Sequence, residues 1–381
     1  MISKTPENKS VITLYILSAL ILVSALAVSQ PSAAARESIS ILWKSPVNQP
    51  VSLAMSSGGK YVGTVDKDGM VRFFSNGKLL WKQHSEEATD VLIANNGQSV
   101  LVYSRLNPSH QHVCFFRHDG RLLWKHQVEG SVWSGAISAD GSHAAVTTDK
   151  RFIYVYRPHP NRPKYRRWQL EGTGYSLAFT PGNERVIVGT WQRSGLACYS
   201  IKGTFLWRIK QDTDRQFELD VSVDGRRILG MLPATQHDPD IQLCFWESGG
   251  HLIWKRPING FDARALVSPQ SQYVAVSYAN FLSKEDSDIV ERKVAVYGSD
   301  GHLLWDKGGL FFGPRLVALS PKGSSVIVSD GERSLYNIDK NGKILSKLSL
   351  KGTIRKTLSS EDGHKILLYC GDGWLYLMQV G

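Results

Sequence analysis

The stretch HDGRLLWKHQ, residues 118–127, decides the reading of this chain because the chain keeps rewriting it. SNGKLLWKQ ends at Gln83, IKGTFLWRI at Ile209, SGGHLIWKR at Arg256 and SDGHLLWDK at Lys307. A weaker copy, KNGKILSKL, ends at Leu348 with Ser346 where the tryptophan would stand. Each copy places a Gly turn before two aliphatics and a tryptophan. The Asn-Gly, Asp-Gly or Gly-Gly step supplies the positive φ of a tight hairpin.

A second motif follows each copy at a similar distance. AMSSGG follows Trp43, IANNGQ follows Trp81, ISADGS follows Trp124 and FTPGNE follows Trp168. VSVDGR, VSPQSQ, LSPKGS and SSEDGH continue the series after Trp207, Trp254, Trp305 and Ser346. The result is eight units of roughly 40–50 residues, the signature of a repeat architecture. Within a unit, β-rich runs such as SVLVY 99–103, RVIVG 185–189 and YVAVS 273–277 alternate with turns. VRFF 71–74, VCFF 113–116, IYVY 153–156 and VAVY 294–297 supply the next strand, and the tryptophan motif closes the unit. A short run such as SLAFT 176–180 opens it, so each unit holds four antiparallel strands. No segment sustains a helical period.

Eight four-stranded sheets whose strands read as apolar runs point to an all-β, eight-bladed β-propeller with both faces of each blade covered. In Leu-Leu-Trp, strict alternation puts the first leucine and the tryptophan on one face and the middle leucine on the other. The tryptophan then wedges between neighbouring blades on the wide rim, each ring burying about 150–250 Å². The last unit has only three strands, around KTLSS 356–360, KILLY 365–369 and WLYLM 374–378. SILWK, residues 40–44, carries the displaced fourth strand, so the N-terminal strand is expected to close the ring and remove exposed sheet edges.

An aromatic strand followed by Asp-x-x-Gly-x-x-Leu-Trp or a shortened form, as in FFRHDGRLLW 115–124 and VYGSDGHLLW 296–305, resembles the PQQ-like repeat propellers. The Ser-x-Asp-Gly turns also resemble WD40-like propellers. The resemblance covers residues 36–381 and is specific for fold rather than activity. Its enzymatic branch, the PQQ-dependent dehydrogenases, implies an adjacent cysteine pair, which this chain lacks, so no cofactor is carried over. Its outer-membrane assembly branch implies a lipidated cysteine, also missing, so only a non-catalytic scaffold role transfers.

Before the repeats, residues 11–28, VITLYILSALILVSALAV, form an apolar run preceded by Lys4 and Lys9 and followed by Pro31 and SAAAR. Residues 1–35 therefore read as a signal peptide cleaved after Ala35 or as an uncleaved membrane anchor. The positive flank keeps the N-terminus inside, so residues 36–381 are expected outside the cytoplasmic membrane: periplasmic, extracellular or anchored on its outer face. The chain carries a net charge of +11. That favours anionic surroundings, although the basic residues are spread out and the densest run, RPKYRRW 162–168, reads as a solvated loop rather than a nucleic-acid site. The four cysteines lie whole repeats apart and read as small buried hydrophobes.

No H-E-x-x-H, G-x-S-x-G or P-loop occurs, and VDKDG 65–69 reads as a hairpin turn rather than a calcium loop. The histidines of NPSHQH 107–112 and TQHDPD 235–240 read as loop residues, so no metal is expected. The informative loops lead into each innermost strand, around one mouth of the central channel. They carry Glu129, Trp133, Thr173, Tyr175, Arg215, Phe217, Phe261, Asp262, Arg264, Phe311, Phe312, Arg315, Arg355 and Lys356. Aromatics with arginines are the side chains of interface hot spots, with plugging of the channel as their alternative role. The expected binding residues are Trp133, Tyr175, Arg215, Phe217, Arg264, Arg315 and Arg355. The reading is an exported, monomeric, non-catalytic scaffold for an acidic protein partner. Two alternatives stand beside it: a small-ligand sensor or enzyme using the same mouth, and a surface protein held to anionic polymers.

Overall fold

The computed structural model describes residues 38–105, 107–109, 111–159, 162–192, 195–210, 216–232, 240–281, 290–308, 315–320, 323 and 325–381. The segment 1–35 expected to be a signal peptide or anchor, His110, Arg215, His237, Phe311 and Phe312 lie outside the described residues. Thirty-two strands among them form eight four-stranded antiparallel sheets. In chain order the blades span 50–84, 90–127, 132–169, 173–210, 218–259, 261–308, 315–349 and 354–380, numbered here 1 to 8. Blade 8 takes its outermost strand from the other end of the chain: Ile39–Pro46 pairs antiparallel with Trp374–Val380, with Trp43 opposite Leu377. This is the expected closure. No helix of the described residues is long and apolar enough to cross a membrane.

The second strand of each blade is buried along nearly its whole length, as in Ser99–Tyr103, Ala144–Thr148 and Ser325–Ser329. Sandwiched between neighbouring sheets, it has no solvent face, which is why the sequence shows runs instead of alternation. The hydrophobic clusters accordingly join adjacent blades: Val65 and Phe73 of blade 1 pack with Val91 and Val100 of blade 2. All four cysteines are free and buried. Burial pushes the Cys198 thiol up to about 11 and the Cys370 thiol up to about 12, so both stay protonated and inert.

The tryptophans sit between blades as expected, and their partner explains the glycine of the motif. Trp81 stacks on Phe73 of its own blade at 5.2 Å and on Phe116 of the next at 5.8 Å, and its Nε1 donates to His118 O at 2.9 Å. Trp43, Trp81, Trp168, Trp207, Trp254 and Trp305 each lie over the hairpin glycine of the following blade: Gly77, Gly120, Gly203, Gly250, Gly301 and Gly342. Those glycines have φ between +78° and +92°. A Cβ at Gly120 would stand 2.9 Å from the Trp81 ring. The glycine thus serves a left-handed turn and a bare surface for the neighbour's indole. Blade 7 has Ser346 instead of a tryptophan, and the blade it faces is the closing one, whose outer hairpin is replaced by the two chain ends. There is no hairpin glycine for a ring to cover.

Strict alternation in Leu-Leu-Trp is corrected. Trp81 pairs with Phe73 and Leu79 with Phe74, so Leu80 is an extra residue in the ladder. The same bulge precedes the motif's last position in blades 2, 4, 5, 6, 7 and 8, leaving Leu123, Leu206, Ile253, Leu304, Leu345 and Leu42 as inserted residues. A bulge re-aims the strand. The first aliphatic and the tryptophan therefore fall on opposite faces, and pairs such as Leu79 and Leu80 are both exposed. Blade 3 alone keeps an unbroken register, with Trp168 opposite Ile153 and Arg167 opposite Tyr154. Here RPKYRRW is also corrected: Lys164–Gln169 is the outermost strand of blade 3, not a loop. Arg167 pairs with Glu129 at 2.8 Å and covers the Phe152 ring at 4.4 Å. VDKDG is the hairpin turn expected: Asp66 Oδ1 accepts from Asp68 N and Met70 N, and its other oxygen from Arg72 at 2.6 Å.

Candidate functional site: one mouth of the central channel

The first strand of each blade lines the channel, and in most blades it begins with an irregularity. The register skips at Val51, Trp133, Tyr175, Val317 and Arg355, and across Asp262 and Ala263. Three of the expected binding residues are therefore bulge residues, unpaired in the ladder and turned where the blade meets the mouth. Asp262 takes φ +47°, a left-handed conformation that aspartate tolerates better than most side chains.

On the side of blades 6, 7, 8 and 1 the mouth opens into a cavity of about 460 Å³ lined by Arg264, Arg292, Arg315, Arg355, Lys356 and Asp262, with Ser277, Ser329 and Thr357 among the neutral polar groups. Arg264 reaches across the channel, donating from Nη1 to Thr357 Oγ1 of blade 8 at 3.1 Å. Burial lowers its pKa, while Asp220 and Glu218 act in the opposite sense. It nevertheless stays charged, because guanidinium starts far above neutrality. Asp262 is engaged by Arg292 at 2.5 Å. No carboxylate among the described residues ion-pairs with Arg315, Arg355 or Lys356.

On the opposite side, Trp133 of blade 3 lies edge-on to Tyr175 of blade 4 at 6.0 Å and 5.4 Å from Trp191. All three rings are half-buried. Tyr175 has its pKa raised, chiefly by burial and then by the Glu218 charge, with the Arg105 charge opposing. Glu218 keeps access to channel water while ringed by protein. Enclosure raises its pKa, and Arg105 and Arg264 pull it back. Deeper in, Asp220 accepts from Val267 N at 3.0 Å, and burial pushes its carboxyl up to about 6.

The far end of the channel differs. A cavity of about 490 Å³ there is lined by aliphatic and aromatic groups such as Leu53, Leu92, Phe179 and Val223, with Asp220 and Glu361 as its charges. Asn95 donates to Glu361, whose pKa burial raises. The channel is thus basic at one mouth and weakly acidic toward the other.

Of the expected residues, the structure gathers Arg264, Arg315 and Arg355 in one cavity and Trp133 with Tyr175 on the facing side. Phe217 is corrected: it is fully buried against Trp246, with ring centroids 5.8 Å apart, and presents nothing to the mouth. Glu129 is engaged by Arg167. Sequence reasoning missed Arg105, Trp191, Glu218 and Arg292. Arg105, Trp191 and Arg292 lie at or beside connections between second and third strands, which emerge at the same end as the loops entering the first strands. The repeat pattern carries that signal, because four up-and-down strands bring both kinds of loop to one face. Among the described residues no group of three or more His, Cys, Asp and Glu is placed to hold a metal.

An eight-bladed propeller with a basic, aromatic mouth is the class that fold and site define. No family model and no curated protein matches the chain in sequence. Its similarity is to solved propellers. The Dos1 propeller superposes with TM-score 0.67 at 14% identity, covering 90% of this chain and 95% of that one. BamB from Moraxella catarrhalis gives 0.64 at 13%, over 90% and 100%. Sqt1 from Saccharomyces cerevisiae gives 0.67 at 8%, over 91% and 99%. At these identities the likeness is one of fold.

Proposed function

We propose that this chain is an exported, non-catalytic propeller that binds an acidic protein partner at the channel mouth. The observation that carries the reading is the mouth itself: a half-buried aromatic cluster faces Arg315 and Arg355, which ion-pair with no carboxylate among the described residues. Interface anchors are typically aromatic and arginine side chains, and planar guanidinium forks suit carboxylates. The rim tryptophans are consumed between blades, so they offer no competing surface. The propeller fold hosts many activities, so the scaffold role rests on the mouth and not on the similar solved structures. Export rests on Lys4, Lys9 and the apolar run at 11–28.

The test is co-purification from the exporting cell with the full chain and with Arg264, Arg315 and Arg355 changed together to alanine. The triple variant is expected to lose an acidic partner while melting cooperatively. Capture that survives this change and is lost instead on altering the 164–168 strand moves the binding surface to the basic rim, the reading in which anionic polymers are the target. N-terminal sequencing of the mature protein tests export: a cut after Ala35 or an intact membrane-bound chain fits, and an intact cytosolic chain overturns it.

A further inference from the structure

We infer that the cavity between blades 6, 7, 8 and 1 is a discrete site for a small polyvalent oxyanion, one bearing two or more phosphate or carboxylate groups. This shares the mouth with the proposed partner surface and rests on that reading only for the location. Five cationic side chains line the cavity and a single carboxylate, Asp262, opposes them, a formal balance of +4. Asp262 is already committed to Arg292 at 2.5 Å. Arg315, Arg355 and Lys356 therefore line the same cavity of about 460 Å³ with no carboxylate ion-paired to them among the described residues. That volume suits a small molecule. Like charges brought together over low-dielectric walls raise the local potential and concentrate counter-anions.

The site is also built rather than accidental. Arg264 is largely enclosed and fixed by Thr357 from two blades away, so one guanidinium is oriented before any ligand arrives. Arg355 stands on a bulge residue, and Asp262 sits on another with a left-handed backbone. Both irregularities turn side chains into the same cavity. Fixed donors of this kind favour an oxyanion, whose several oxygens accept forked hydrogen bonds, over a monovalent halide. The far cavity cannot substitute, because its charges are Asp220 and Glu361.

The experiment is isothermal titration of the purified full chain with pyrophosphate and with citrate, using acetate at matched ionic strength as the monovalent comparison. Saturable one-to-one binding of either polyanion, absent with acetate, is expected. The double variant Arg315→Gln, Arg355→Gln should weaken it at least tenfold with an unchanged thermal melt, since neither side chain has an ion-pair partner among the described residues. The variant Lys78→Gln, Lys202→Gln, on exposed outer hairpins, should leave it unchanged. A tenfold preference between the two probes names the group as phosphate or carboxylate. No saturable heat with either probe overturns the inference, as does equal weakening by both variants, which would mark general screening. No protein partner is present in the titration, so failure here and failure of partner capture are separate results.

Discussion

At the residue scale, the repeated glycine and the repeated tryptophan are one device split between neighbouring blades. Gly120 has φ +89° and Trp81 across its missing Cβ, whereas Gly182 has the same φ with nothing within 4 Å. The pair separates backbone cost from packing cost. Gly182→Ala should lose about 1 kcal/mol for the left-handed residue alone. Gly120→Ala should lose about 1–3 kcal/mol more, because the indole must shift in a packed interface. Urea unfolding midpoints measure the difference, and equal losses would remove the role given to the indole. Ser346→Trp is expected to gain nothing, since the closing blade offers no hairpin to cover.

At the element scale, the bulges do two jobs. Those on the outer strands sit before the motif's last position, and those at Trp133, Tyr175, Asp262 and Arg355 on the inner strands place side chains at the mouth. The closing strand is the element on which the ring depends. Trp43 is packed over Gly77 of blade 1 while its strand pairs with blade 8, so it ties three stretches far apart in sequence. Trp43→Ala should cost about 3 kcal/mol, the lower end for a large ring because Trp43 is only half-buried. Deleting residues 36–45 should do more: it bares the edge of Trp374–Val380, and an unpaired strand edge recruits other chains. Size-exclusion chromatography is expected to show that variant self-associating, and a stable monomer would count against the strand's role in closure.

At the scale of the whole molecule, charge runs along the channel axis, with arginines at one mouth and Asp220 and Glu361 further in. Burial pushes the Asp220 carboxyl up to about 6, above the ordinary value of 3.8. The folded chain therefore holds a proton there that the unfolded chain releases, and stability from this group falls as pH rises from about 4 through about 6. Asp220→Asn keeps an acceptor for Val267 N and abolishes that titration. The variant should gain on the order of 1–2 kcal/mol above pH 6 and nothing below pH 4. Parallel melts of the two proteins across pH test this, and a difference that grows toward acid would reverse the sign.

The fold was legible because each blade must solve the same local problem, and the solution is written eight times. A Gly turn, an apolar run without alternation and a displaced SILWK strand at 40–44 were enough to give blade number, strand number and closure. Local periodicity could not reveal the bulges, since one extra residue leaves composition unchanged and only cross-strand register exposes it. The site divided along the same line. Arg264, Arg315, Arg355, Trp133 and Tyr175 could be placed at one mouth from their loops, because loop position in a repeat is a sequence property. The burial of Phe217, the pairing of Asp262 with Arg292 and the meeting of Arg264 with Thr357 depend on what the neighbouring blades bring to the same place. Those are contacts between residues tens of positions apart, and only closure of the ring sets their distances.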